Sequence, residues 1–151
     1  MDWIQQTEQY ASSCVPIAML NALKYHGLPC MRYGSEEWER LVDLAKCRDG
    51  ATIGERRVAK ALGLKLVSIP SPLDRPPILE VPSMLPAMIT CWPPGIGTHA
   101  VLVVKTASEG WDLVNYLAWR GPVRVRAKPE SLKWPVPGTY MSRSIYQVLP
   151  L

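Results

Sequence analysis

Residues 5–21 read Gln5-Gln6-Thr7-Glu8-Gln9-Tyr10-Ala11-Ser12-Ser13-Cys14-Val15-Pro16-Ile17-Ala18-Met19-Leu20-Asn21, and they set a cysteine at the start of a helix. Ser12 or Ser13 suits the N-cap, and Pro16 falls in the first turn, where backbone N–H groups have no intrahelical partner to lose. The apolar run of Val15, Ile17, Ala18, Met19, Leu20, Ala22 and Leu23 continues to Gly27, a C-terminal stop. Apolar on nearly every side until Asn21 and Lys24, this helix belongs inside the domain. A thiol at its head meets the positive end of the helix dipole and free N–H groups, both of which favour the thiolate and hence a nucleophile.

The chain around this helix has 151 residues, which predicts one domain over 1–151 with a core large enough to need no staples. Met1-Asp2-Trp3-Ile4-Gln5-Gln6 has neither a basic nor an apolar signal region, and no apolar run is long enough to span a bilayer. A soluble protein that starts out in the cytoplasm is therefore expected. Cys14, Cys30, Cys47 and Cys91 lie far apart without a Cys-x-x-Cys, which argues against zinc and against a disulfide framework. The net charge is +4, but Lys and Arg are spread along the chain, so nucleic acid is not the expected partner.

Downstream, Ser35 caps a helix over 36–46 with Trp38, Leu41, Val42 and Ala45 as its buried stripe. A third helix is expected from Thr52 or Ile53 to Leu62, with Ile53, Val58, Ala61 and Leu62 inward, Arg56, Arg57 and Lys60 outward, and Gly63 ending it. Leu64 to Ile69 alternates as a strand, and the prolines between 70 and 86 predict a stiff surface loop. Short β-prone runs follow at 87–92, 99–105, 111–116 and 123–126, with a last strand around 140–148 closing an antiparallel sheet. Helices first and strands after gives an α+β fold. Arg120, Arg124, Arg126 and Lys128 read as a solvated face, while Trp92, Trp111, Trp119 and Trp134 read as core or rim packing, with the wall of a cleft near His99 as the alternative for Trp92 and Trp119.

Only two histidines can serve a cysteine nucleophile as base. His26 lies at the far end of the same helix, roughly 18 Å from Cys14 at helical rise, and suits a C-terminal cap. His99 opens the strongest strand, directly after the turn Gly95-Ile96-Gly97-Thr98. Asn115 ends the next strand, where an antiparallel hairpin returns it to His99, and its amide oxygen is placed to accept the imidazole N–H, with Asp112 as the alternative.

On these residues the chain resembles the papain-like cysteine peptidases, and within them the bacteriocin-processing family that cuts double-glycine leader peptides, together with its stand-alone relatives. The matching pieces, in order, are a Gln-containing segment before the cysteine, Cys14-Val15-Pro16-Ile17-Ala18-Met19, Thr52 to Leu64, Leu85-Pro86-Ala87-Met88-Ile89, His99 to Val104, and Asp112 to Asn115. Val15 stands where the family commonly has Gly, and Asn115-Tyr116 where the leader peptidases have Asp-Pro. The resemblance implies a papain-like α+β fold in which an N-terminal helical half, with its central Cys-bearing helix, packs on a C-terminal antiparallel sheet. It also implies Cys14 as nucleophile, His99 as general base and then acid, and Asn115 as the orienting group. The family's oxyanion-hole glutamine stands about six residues before the cysteine, where this chain has Glu8. A carboxylate would repel the oxyanion, so Gln9 is preferred, with Gln6 the other candidate.

The expectation is a cysteine peptidase acting on a peptide or protein through a thioester acyl-enzyme, chemistry that requires no metal or organic cofactor. The alternatives are an acyl or peptidyl transferase using the same machinery, and a catalytically silent papain-like module that binds or blocks a partner.

Overall fold

Helix α1 spans Cys14–Tyr25, and every residue from Val15 to Leu23 is buried, Asn21 included. A helix without a polar face has to be enclosed on all sides. The computed structural model describes residues 2–47, 54–69, 85–93, 95–105, 110–127 and 140–151, with 127 and 140–144 as backbone only. Ser13 occupies the N-cap position but does not cap through its side chain: its hydroxyl donates to the Tyr10 carbonyl at 2.6 Å instead. Asn21 satisfies its buried amide on the N-terminal segment, accepting from Ile4 N–H at 2.8 Å and donating to Ile4 O at 2.9 Å. Gly27, with φ 69°, ends the helix in the left-handed conformation expected of a stop.

Helix α2 (Glu36–Leu44) starts as expected, Ser35 Oγ accepting from Trp38 N–H at 3.2 Å. Trp38, Leu41, Val42 and Ala45 are buried, and Trp38 packs edge-on to Tyr10 with ring centroids 5.5 Å apart. Helix α3 (Glu55–Ala61) buries Val58 and Ala59 rather than Ala61, which is exposed; residues 52–53 of the expected helix lie outside the described residues, as do 70–84 of the proline-rich stretch, Lys128 and Trp134.

The strands are β1 (Leu64–Ser68), β2 (Ala87–Trp92), β3 (His99–Lys105), β4 (Trp111–Val114), β5 (Arg124–Ala127) and β6 (Tyr140–Pro150). They form one antiparallel sheet in the order β1-β6-β2-β3-β4-β5. The last strand therefore does not close the sheet at its margin, as alternation alone suggested. It is inserted between β1 and β2, a pairing that depends on register rather than on order along the chain.

Strand β3 is buried from His99 to Val104. Ala100, Leu102 and Val104 pack with α1, whereas Val101 and Val103 join a second core with Ile89, Leu113 and Ile145. A strand with apolar cores on both faces reads as a continuous hydrophobic run, and His-Ala-Val-Leu-Val-Val does. The α+β class read from the chain is the observed one, and α1 lies chiefly against β3. The two thus meet head to head, Cys14 at the start of one and His99 at the start of the other.

Candidate active site

Cys14 is half-buried at the first residue of α1. Its sulfur faces backbone N–H groups of Ala100, Val15 and Cys14 itself, each of which favours the thiolate. Burial nevertheless dominates and pushes the thiol above its ordinary value, with the nearby Cys47 thiol adding to the rise. The helix head alone predicted a depressed thiol; desolvation of the same position reverses the sign.

The Ala100 N–H against the sulfur puts His99 in the adjacent position of β3. The imidazole is 3% exposed, and its Nε2 lies 2.6 Å from the Asn115 carbonyl oxygen. A carbonyl only accepts, so Nε2 carries the proton and Nδ1 is left as the basic atom. Burial lowers the His99 pKa below its ordinary value, against the Asn115 carbonyl, which raises it.

Asn115 thus meets His99 through its main chain, where the spacing suggested its side chain. The reason is local backbone geometry. Asn115 has φ 62°, a left-handed conformation that Asn tolerates better than most residues, and this turns its carbonyl back along β4 toward the ring. The side chain is then free for another partner. Its Oδ1 accepts from Gln6 N–H at 2.9 Å, and its Nδ2 donates to Gln6 Oε1 at 3.1 Å.

Gln6 is 1% exposed, and its own Nε2 donates to the carbonyls of Tyr10 at 3.0 Å and Ala11 at 2.7 Å. One buried side chain therefore joins the turn that holds the imidazole to the segment that leads into Cys14. Gln5 adds to the tie, donating from Nε2 to Ala118 O at 2.7 Å and to Gly121 O. Gln9 is exposed in the 3₁₀ turn Glu8–Tyr10, and its side chain has no hydrogen-bond partner among the described residues. Asp112, the alternative orienting group, is buried on β4 between Arg124 and Arg126, 3.8 and 3.7 Å from its carboxylate oxygens, and so faces β5. His26 is remote, its Nε2 2.8 Å from Val148 O at the other end of α1.

Two neighbours stand in relations that the sequence did not show. Cys91 pairs directly across from His99 in the β2–β3 register, and burial raises its thiol to about 12. Gln6 was singled out only as an alternative to Gln9, although its role in holding Asn115 is the better supported. Neither relation has a signal along the chain, because each requires segments distant in sequence to be placed side by side. Trp92 is 41% exposed with its indole N–H on Thr98 Oγ1 at 2.9 Å, and Trp119 is half-buried under the Arg120 guanidinium. Among the described residues no three His, Cys, Asp or Glu side chains gather as metal ligands, and no helix is long and apolar enough to cross a membrane.

No family model matches the chain, and no curated protein matches it. Among solved structures it is similar to the peptidase domain of Streptococcus ComA, a bi-functional ABC transporter involved in a quorum-sensing pathway. The TM-score is 0.62 with 15% sequence identity, over 99% of this chain and 100% of that one. The likeness shows the fold, an α+β arrangement shared with that domain.

Proposed function

We propose that the chain is a cysteine peptidase in which Cys14 and His99 carry out acyl transfer to water. One observation supports this above the others: backbone N–H groups of Val15, Cys14 and Ala100 favour the Cys14 thiolate, and His99, next to Ala100 in β3, is fixed as the tautomer that keeps Nδ1 basic. His99 Nδ1 takes the thiol proton as the sulfur adds to the peptide carbonyl, forming the S–C bond and an oxyanion. The N–H groups at the head of α1 stabilise that oxyanion, together with the unengaged amide of Gln9. Gln6 is committed to the Tyr10 and Ala11 carbonyls and acts by holding the site in place.

Collapse breaks the C–N bond, and His99 returns its proton to the leaving amine. Water, deprotonated by the same nitrogen, then opens the thioester and frees the thiol. With the thiol raised and the imidazole lowered, the resting pair is neutral, so proton transfer accompanies attack and does not precede it.

The same neutral pair supports a second reading, a silent module that keeps the fold for binding. Labelling by a peptidyl electrophile, located by mass mapping, separates the two. The peptidase reading expects the adduct on Cys14 alone and its loss in His99→Ala. Failure of every such electrophile at Cys14, with all four thiols equally slow, would leave the silent module standing.

A further inference from the structure

A cleft of about 180 Å³ opens between the 3₁₀ turn with the segment after it and the C-terminal part of α2. Buried Val42 and Cys47 contribute apolar surface, and Glu8, Gln9 and Ser12 contribute polar surface. Small-molecule pockets begin at about 300 Å³, so this volume suits a single long side chain. Glu8 is exposed, and its carboxylate has no hydrogen-bond or ion-pair partner among the described residues. On the adjoining helix Glu36, Glu37, Glu39, which accepts from the Tyr10 hydroxyl, and Asp43 outnumber Arg40 and the following Lys46, which makes this a net acidic region on a chain of net charge +4.

Ser12 lines the cleft two residues before Cys14, a backbone span of at most about 7 Å. An extended peptide advances about 3.3 Å per residue, so one whose carbonyl lies at Cys14 brings a side chain to the cleft within about three residues of that bond. A Lys or Arg residue satisfies both halves of the lining: its methylene stem lies along Val42 and Cys47, and its cationic head reaches the Glu8 carboxylate.

We propose that this cleft is a specificity subsite for a basic side chain of the peptide substrate, with Glu8 as the selecting residue. The proposal rests on the reading of Cys14 as nucleophile. The test uses the full chain and peptidyl electrophiles carrying Lys, norleucine or Glu in turn at each of the three positions nearest the reactive carbon, with Cys14 labelling rates read by intact mass. At one position the Lys probe should label roughly fivefold faster than norleucine and the Glu probe slower, an advantage that added salt reduces. Glu8→Lys should reverse the order of the Lys and Glu probes, each rate taken relative to that of norleucine on the same variant.

Equal Lys and norleucine rates at all three positions, or a Lys preference that survives Glu8→Lys, would overturn the subsite. If no probe labels Cys14, the peptidase reading fails by itself, and the subsite is then judged by fluorescence anisotropy with the same peptides, lacking the electrophile, on Cys14→Ala. Tighter binding of the Lys peptide, reversed by Glu8→Lys, upholds it; equal binding of the three peptides refutes it.

Discussion

At the scale of single residues, the carbonyl of Asn115 and the amide of Gln6 control the imidazole between them. Replacing Gln6 by Leu leaves the Asn115 Nδ2 and the Ala11 carbonyl without their partner, while the Tyr10 carbonyl keeps its bonds from Ser13, a loss of about 2–3 kcal/mol in urea unfolding. Asn115→Gly keeps access to the left-handed conformation, whereas Asn115→Ala should be about 1 kcal/mol less stable than the glycine variant. In both, nitrogen NMR of the His99 ring reports whether Nε2 keeps its proton, with His26 as the reference. Retention of the wild-type tautomer and titration in Gln6→Leu would show that the clasp does not position the ring.

The buried ring also sets a pH dependence with a definite sign. Its folded pKa lies below 6.5, so the unfolded chain binds a proton that the folded chain refuses, and stability falls as pH drops below 6.5. His99→Gln should flatten that acid arm. Cys91 acts at the opposite end: its folded thiol is raised from 9.0 to about 12, so its contribution is complete below pH 9.0 and is lost across that interval. Cys91→Ala should remove part of the alkaline loss, measured by denaturation at fixed pH values.

At the scale of elements, the helices were legible where a local rule sufficed. Ser35 followed by Glu36 and Glu37, with Trp38, Leu41, Val42 and Ala45 at helical spacing, announces α2, and the cap bond is present. Ser35→Ala should cost about 1 kcal/mol, and Trp38→Ala about 3–5 kcal/mol for the cavity left among Tyr10, Tyr33 and α1. On α3 Val58 is buried and Leu62 packs on the core as expected, but Ala59 takes the inward place expected of Ala61, because the two are equally apolar and only packing against β1 distinguishes them. The encounter of α1 with β3 was readable from the all-apolar helix and the all-apolar strand. Burial then reversed the expected thiol shift, because the enclosure that hydrophobicity predicts for α1 extends to Cys14 itself.

For the whole molecule, the two ends of the chain decide how the sheet is put together. Residues 4–6 are stitched to α1 through Asn21, to the β4 turn through Asn115, and to the loop after it through Gln5. Alternation identified each strand but not its neighbours, since pairing between β1 and β6 or β2 and β6 joins segments far apart in sequence. Such pairings carry a large loop-closure cost and slow folding. During synthesis the ribosome delivers α1 and β1, then β2 through β5, as two pieces of a layer with a gap between them. The strand that fills the gap is translated after everything it joins, so the nascent chain holds an open seam until residues 140–150 have left the exit tunnel.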